Sequence, residues 1–232
     1  MRIRGRRECQ SCGSHWSYYD TGEISCPECG SPVSVGIGDR DEHTDDPVEF
    51  DLAPVREAVD EAPREEVAER AAALAREYCR RTGFVNAGEL VALSGVALAA
   101  AELREVGSTV ARGLRLTEAE ETYYLRLLRG ADAGDRPPVD AVLAAFRAER
   151  GRAVADTVGA YQDDLRRVVE EPEPAVASVL STVRTHRKRI EALDGDVPVR
   201  ETEALVRAVR DVGRYLNDGD EAALARASER FE

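Results

Sequence analysis

The chain is predicted to be mainly α, with a small N-terminal β module followed by an acidic all-helical bundle domain. Three observations predict this. Cys9, Cys12, Cys26 and Cys29 form two Cys-x-x-Cys pairs separated by thirteen residues, a spacing that lets thiolates converge on one ion and so staples a unit too small to bury a core of its own. Residues 39–51 carry seven acids against one arginine, a density of like charge that cannot collapse into a core. From Leu52 onward, apolar residues recur at helical spacing. The expected organisation is therefore a metal-stapled module over 1–38, an acidic linker over 39–51 and a helical domain over 52–232.

The first element is the cysteine module. Each Cys-x-x-Cys pair is followed by a glycine, Gly13 or Gly30. His15 to Ser25 reads as strand, tight turn at Asp20-Thr21-Gly22, and strand. Four soft thiolates suit zinc or an iron–sulfur type centre and suit hard cations badly. In a four-thiolate zinc site the protein fills every coordination position, so the ion is structural, which argues against metallohydrolase chemistry. Such an ion stabilises comparable small units by about 10 kcal/mol or more. Two disulfides, or four unrelated thiols, account less well for twin pairs at this spacing.

Residues 8–33, from Glu8-Cys9-Gln-Ser-Cys12-Gly13 to Cys26-Pro27-Glu-Cys29-Gly30, resemble a zinc ribbon of the transcription factor IIB type. The layout of the whole chain, a ribbon joined to a long acidic helical region, further resembles uncharacterised zinc-ribbon proteins of halophilic archaea. The same cysteines with an aromatic hairpin are also similar to the rubredoxin module of rubrerythrins, which makes iron the alternative to zinc. That likeness implies a helical di-iron partner with Glu-x-x-His pairs. None of His15, His43 and His186 has a glutamate three positions earlier, so the di-iron half is missing.

Around the ribbon lie the residues suited to interaction. Arg2, Arg4, Arg6 and Arg7 precede or enter it, and Trp16, Tyr18 and Tyr19 concentrate three aromatics within four residues. Arginine binds phosphate bidentately and aromatic rings stack on bases, which suits nucleic acid. Equally, the aromatics can cover the metal knuckles while Arg2 and Arg4 line the outer face of a first strand. Glu8, Asp20, Glu23 and Glu28 cancel the four arginines, so a protein partner is expected ahead of nucleic acid. The segment 39–51 reads as a linker or an extended strap: His43 is expected to be solvated, while Val48 and Phe50 can dock it onto the helices.

The helical elements follow from periodicity and end signals. Val67, Ala71, Leu74 and Tyr78 keep three-and-four spacing, as do the apolar residues from Val139 to Val168 and Leu205, Val209, Val212 and Leu216. Asn86 with Glu89, Thr117 with Glu120 and Asp218 with Glu221 have capping-box or related spacing, and Pro63, Pro138, Pro174 and Pro198 suit first turns. No sheet is expected beyond the ribbon. Pro138 to Glu170 can run unbroken for roughly 45–50 Å, with Gly151 a place to bend. The Ala- and Gly-rich stretch Leu90–Leu103 is expected to be a central buried helix, with a homodimer interface as the sharper alternative. Cys79 reads as a small buried or half-buried thiol. The carboxylates, Asp163 and Asp164 among them, have the spacing of solvated helix faces, and His186 sits in a basic cluster on such a face.

Composition bounds the remaining possibilities. The net charge is −13, and only Lys188 among 32 basic residues is lysine. A chain so acidic and arginine-rich resembles proteins that work in multimolar salt, although a GC-rich genome favours the same residues. The most apolar run, Leu90–Ala101, is well short of the roughly twenty residues of a membrane span. The N-terminus lacks a secretory apolar stretch, and metal-bound thiolates suit a reducing compartment, so a cytoplasmic protein is expected. With no phosphate-binding glycine loop and no nucleophile elbow, the expected role is non-enzymatic: a binding or regulatory module.

Overall fold

The computed structural model describes residues 1–113 and 115–231. The helical region expected to reach Glu232 is thus followed to 231, and Leu114 also lies outside the described residues.

The cysteine module is built from short antiparallel strands. Strand β1 (Arg2–Ile3) is followed by β2 (Arg6–Cys9), β3 (His15–Ser17), a one-turn helix α1 (Tyr18–Thr21), β4 (Ser34–Ile37) and β5 (Asp41–Glu42). Strand β2 lies at the centre of a three-stranded sheet, with β3 on one side and β4 on the other. The hairpin expected over His15–Ser25 is therefore replaced: β3 pairs backward with β2, and the chain then coils. In a continuing strand Tyr18 and Tyr19 would face opposite sides. The helical turn instead buries Tyr19, whose hydroxyl donates to Ile3 O at 3.0 Å and to Asp41 Oδ2 at 3.2 Å. Gly22 ends the turn in the expected left-handed conformation, with φ 66°.

Residues 39–51 lie as an extended strap. Strand β5 pairs with β1, setting Arg2 opposite Glu42. Thr44 and Asp45 then donate backbone N–H bonds to Val85 O at 2.9 and 3.1 Å, and Phe50 stacks on Tyr78 with ring centroids 4.8 Å apart. Backbone hydrogen bonds hold the segment while its acids stay at least partly solvated, so the charge density does not prevent ordering. His43, expected in solvent, is only 3% exposed and packs on Tyr18 and Tyr19. The two tyrosine rings of α1, brought to it by the β1–β5 pairing, help bury it.

The helical region begins with α2 (Ala53–Glu57) and α3 (Arg64–Arg81). A two-stranded hairpin, β6 (Val85–Asn86) and β7 (Glu89–Leu90), follows, turning through Ala87 and Gly88 at positive φ. This corrects two expectations at once: sheet does occur outside the ribbon, and Asn86 opens a hairpin instead of capping a helix. The cap belongs to Ser94, whose hydroxyl accepts from Ala97 N at the start of α4 (Gly95–Ala111). Helix α5 (Glu118–Gly130) carries the full Thr117–Glu120 capping box. After irregular turns come α6 (Arg147–Val168), α7 (Pro174–Ala192), α8 (Val199–Asp218) and α9 (Glu221–Glu229). The last is capped by Asp220, two residues beyond the expected Asp218. The long helix expected from Pro138 starts only at Arg147, because 139–146 folds into two separate 3-10 turns. Gly151 does not mark a bend; a side chain there would strike Gly195 O at 2.0 Å, so its role is close approach to the turn between α7 and α8.

Helix α4 is the central buried helix. One core cluster, including Leu103, Val106, Tyr124, Leu127 and Phe146, joins it to α2, α3 and α5. A second, including Leu98, Val158, Tyr161, Leu205 and Val209, joins it to α6, α8 and their neighbours. Its small residues admit neighbours of the same chain: a side chain at Gly107 would meet Ala68 O and Ala72 Cβ at 3.2 Å. A buried ionic group that sequence spacing did not disclose joins α4, α6 and α8. Arg150 Nη1 donates to Glu102 at 3.0 and 3.2 Å and to Pro137 O at 2.9 Å, while Nη2 donates to Glu203 at 2.8 Å. Tyr123 donates to Glu102 as well. Burial opposes the charge of Arg150, but Glu102 and Glu203 outweigh it and raise its pKa.

Candidate metal centre

The two cysteine knuckles have one backbone design. Both read Cys-x-x-Cys-Gly-Ser. In the first, Cys9 N donates to Ser14 O at 2.9 Å and Gly13 N to Cys9 O at 3.0 Å; in the second, Cys26 N donates to Ser31 O and Gly30 N to Cys26 O, both at 2.9 Å. Gly13 and Gly30 sit at φ 76° and 70°, with open space where a side chain would be. Glycine is required there for the left-handed turn alone. Ser11 Oγ and Ser31 Oγ, 2.9 Å apart, tie one knuckle to the other. The repeated hexapeptide is a visible signal for Ser31 and its counterpart Ser14, but not for Ser11, whose place the second knuckle fills with Glu28.

This arrangement brings all four sulfurs within 4.8 Å of one another. Cys9 Sγ to Cys29 Sγ and Cys12 Sγ to Cys26 Sγ are each 3.6 Å. A tetrahedron with metal–sulfur bonds of about 2.3 Å has edges of about 3.8 Å, so the cage fits a four-thiolate ion. One cysteine of each pair, Cys9 and Cys26, is buried, while Cys12 and Cys29 are exposed. Backbone N–H groups at Cys12 and Ser11 favour the Cys9 thiolate and lower its pKa to about 6, against desolvation. At Cys29 the Ser31 N–H favours ionisation, but the sulfurs of Cys12, Cys9 and Cys26 together with burial outweigh it, pushing the thiol up to about 12. Four thiolates this close repel one another, and a cation at their centre is what lets all of them ionise.

The arginine and aromatic residues differ in their surroundings, although Arg7 stands opposite Trp16 in the β2–β3 register. Arg2 is engaged with Glu42 at 3.2 Å, and Arg7 donates to Ser34 Oγ and Ser34 O at 2.9 and 3.2 Å. Tyr19 is interior and Tyr18 is half-buried against His43. Trp16 is half-buried, its indole N–H donating to Glu23 O at 2.9 Å. Arg4 and Arg6 remain exposed. Sequence reasoning passed over a different surface feature: Ile24, Val33 and Val35 are 54%, 57% and 42% exposed. Val33 and Val35 share the alternation of the edge strand β4 and flank Ser34, whose hydroxyl donates to Ile24 O.

Elsewhere, Asp164 is buried and not on a solvated face, accepting from Thr44 and Phe84. Cys79 is half-buried, and burial raises its pKa. His186 is half-buried and stacks on Phe231 with ring centroids 4.8 Å apart. No helix among the described residues is long and apolar enough to cross a membrane.

No curated protein and no solved structure matches the chain. One family model does match, and it takes in the cysteine module, the strap and the helices together; over residues 1–231 the chain belongs to the family of unknown function DUF7117.

Proposed function

We propose that the module is a structural zinc ribbon that presents a docking surface to a protein partner, so that the chain acts as a non-enzymatic binding or regulatory protein. The closed four-cysteine cage carries this reading. With every coordination position taken by sulfur, the ion has no place for water or substrate and serves to hold the knuckles. Zinc suits such a permanently filled site without redox chemistry.

The choice of a protein partner rests on the exposed Ile24, Val33 and Val35 beside the free edge of β4. Exposed apolar side chains next to an open strand edge fit a partner that contributes a strand or an apolar patch. The likeness to transcription factor IIB ribbons makes the transcription machinery the first place to seek that partner. Nucleic acid is the second reading, supported by exposed Arg4 and Arg6 and the partly open Trp16; a rubredoxin-like iron centre is the third.

The test has two steps. Metal analysis of protein purified without added metal should give about one zinc per chain and a colourless sample; a red sample with equivalent iron would overturn the zinc assignment. Trp16 fluorescence should then be unmoved by single-stranded or duplex nucleic acid, and Val35→Asp should abolish binding to the partner. A saturable change in Trp16 emission that is lost in Arg4→Gln with Arg6→Gln would move nucleic acid to the front.

A further inference from the structure

A cavity of about 250 Å3 opens between α8, the loop before α4 and α6. Its interior wall holds Tyr161, a fully buried side chain whose hydroxyl has no hydrogen-bond partner among the described residues. That oxygen lies against Gly213, where any side chain would come within 2.5 Å of it, so glycine is what lets the phenol reach the wall. Burial raises the pKa of Tyr161 and keeps it a donor. A buried donor left unpaired is unfavourable, and a ligand acceptor would relieve that cost.

Two arginines, one helical turn apart on α8, share this wall. Arg210 Nε donates to Leu93 O at 3.0 Å, which fixes the guanidinium plane. Among the described residues no carboxylate forms a salt bridge with it, and burial, with Arg214 adding to it and Glu203 opposing, lowers its pKa. Its charge is thus short of a counter-ion. Arg214 is exposed, with only a 3.5 Å contact to Asp211 Oδ1. Asn217 donates to Leu90 O at 2.9 Å and braces the mouth. Asp218 also lines the cavity, at the C-terminal end of α8, where both its charge and the helix dipole repel anions. An anion is therefore placed towards Arg210 and Tyr161.

We propose that this cavity binds a small tetrahedral oxyanion of the phosphate class, held by Arg210, Arg214 and the Tyr161 hydroxyl. Two guanidinium forks and a phenol approaching from another element supply more donors than a planar carboxylate can accept, and they match the oxygens of a phosphate. The volume leaves room for the body of a phosphate ester. The site is remote in sequence from the cysteine ribbon and does not depend on its metal.

Calorimetric titration of the full chain with inorganic phosphate and with glycerol phosphate, at ionic strength held constant with sodium chloride, tests this. Saturable binding of one equivalent is expected, weakened roughly tenfold by Arg214→Gln and roughly threefold to tenfold by Tyr161→Phe, and unchanged by Arg166→Gln on the surface of α6. Arg214 is exposed, so its variant keeps the fold, and circular dichroism verifies this. Binding of the ester alone identifies a phosphorylated small molecule as occupant, while binding of both shows that the phosphate group suffices. Absence of saturable heat with either probe overturns the proposal, as does affinity in Arg214→Gln and Tyr161→Phe equal to that of the parent.

Discussion

Thr44 Oγ1 donates a 2.6 Å hydrogen bond to Asp164 Oδ2, joining the acidic strap to α6 across 120 residues of sequence. The same carboxylate oxygen accepts the Phe84 N–H at 2.8 Å. Replacing Asp164 with Asn, or Thr44 with Val, should free the strap at a cost of about 1–3 kcal/mol. Limited proteolysis checks this. Cleavage within 39–51 should be slow in the parent and fast in either variant, and equal rates would show that the β1–β5 pairing, the Val85 hydrogen bonds and the Phe50–Tyr78 stack suffice to hold the strap.

Serine at Cys9, Cys12, Cys26 or Cys29 should release the ion and unfold the ribbon. The ion contributes on the order of 10 kcal/mol to such a unit, whereas the helical clusters contain none of these cysteines. Metal stoichiometry should fall from about one to near zero while the helical circular dichroism signal persists. Loss of helix from a single cysteine change would mean that the two parts fold together.

His43 gives the strap a pH dependence. Burial lowers its pKa below 6.5, with Asp46 pulling it up and the N-terminal amine pushing it down. Neither ring nitrogen has a hydrogen-bond partner among the described residues, and Tyr18 and Tyr19 enclose the ring. The folded chain therefore binds fewer protons than the unfolded chain as pH falls through 6.5. The His43 contribution to stability is complete above that value and declines below it. Thermal unfolding from neutral to mildly acid pH should show this loss in the parent and a flatter profile in His43→Leu. Parallel profiles would assign the acid sensitivity to the thiolates instead.

Removing one member of the buried ionic group should be far more costly than removing a surface charge. Glu102→Gln or Arg150→Met leaves the remaining buried charges only partly compensated, Arg150 by Glu203 and Glu102 by Arg136, which costs up to about 3–5 kcal/mol. Tyr123→Phe should cost about 1 kcal/mol. Denaturant unfolding measures each, and a double replacement of Glu102 and Arg150 by apolar residues should recover part of the loss. Strict additivity of the two single losses would show that the pair is not coupled.

Stability should also rise with salt. Residues 39–51 carry six net negative charges and residues 52–232 a further seven, and their repulsion is unscreened when the Debye length is long. Equal melting temperatures in dilute and multimolar sodium chloride would remove the halophilic reading.

By itself the sequence determined the cysteine cage, the helical class and several helix ends. These are local matters: the Cys-x-x-Cys-Gly pattern fixes a turn within six residues, and the Thr117 capping box acts within one helical turn. Only the tertiary structure decided the rest. Asp164 looks like any solvated carboxylate until Thr44 and Phe84 are brought to it, and His43 looks like a linker residue until β5 pairs with β1. Glu102 left one clue, a lone charge inside the apolar run from Ala97 to Leu103, but its partners Tyr123 and Arg150 lie 21 and 48 residues away. Spacing along a chain reports which residues share one face of one element. Which face is buried, and which charges are thereby forced to pair, depends on neighbours that only the packing supplies.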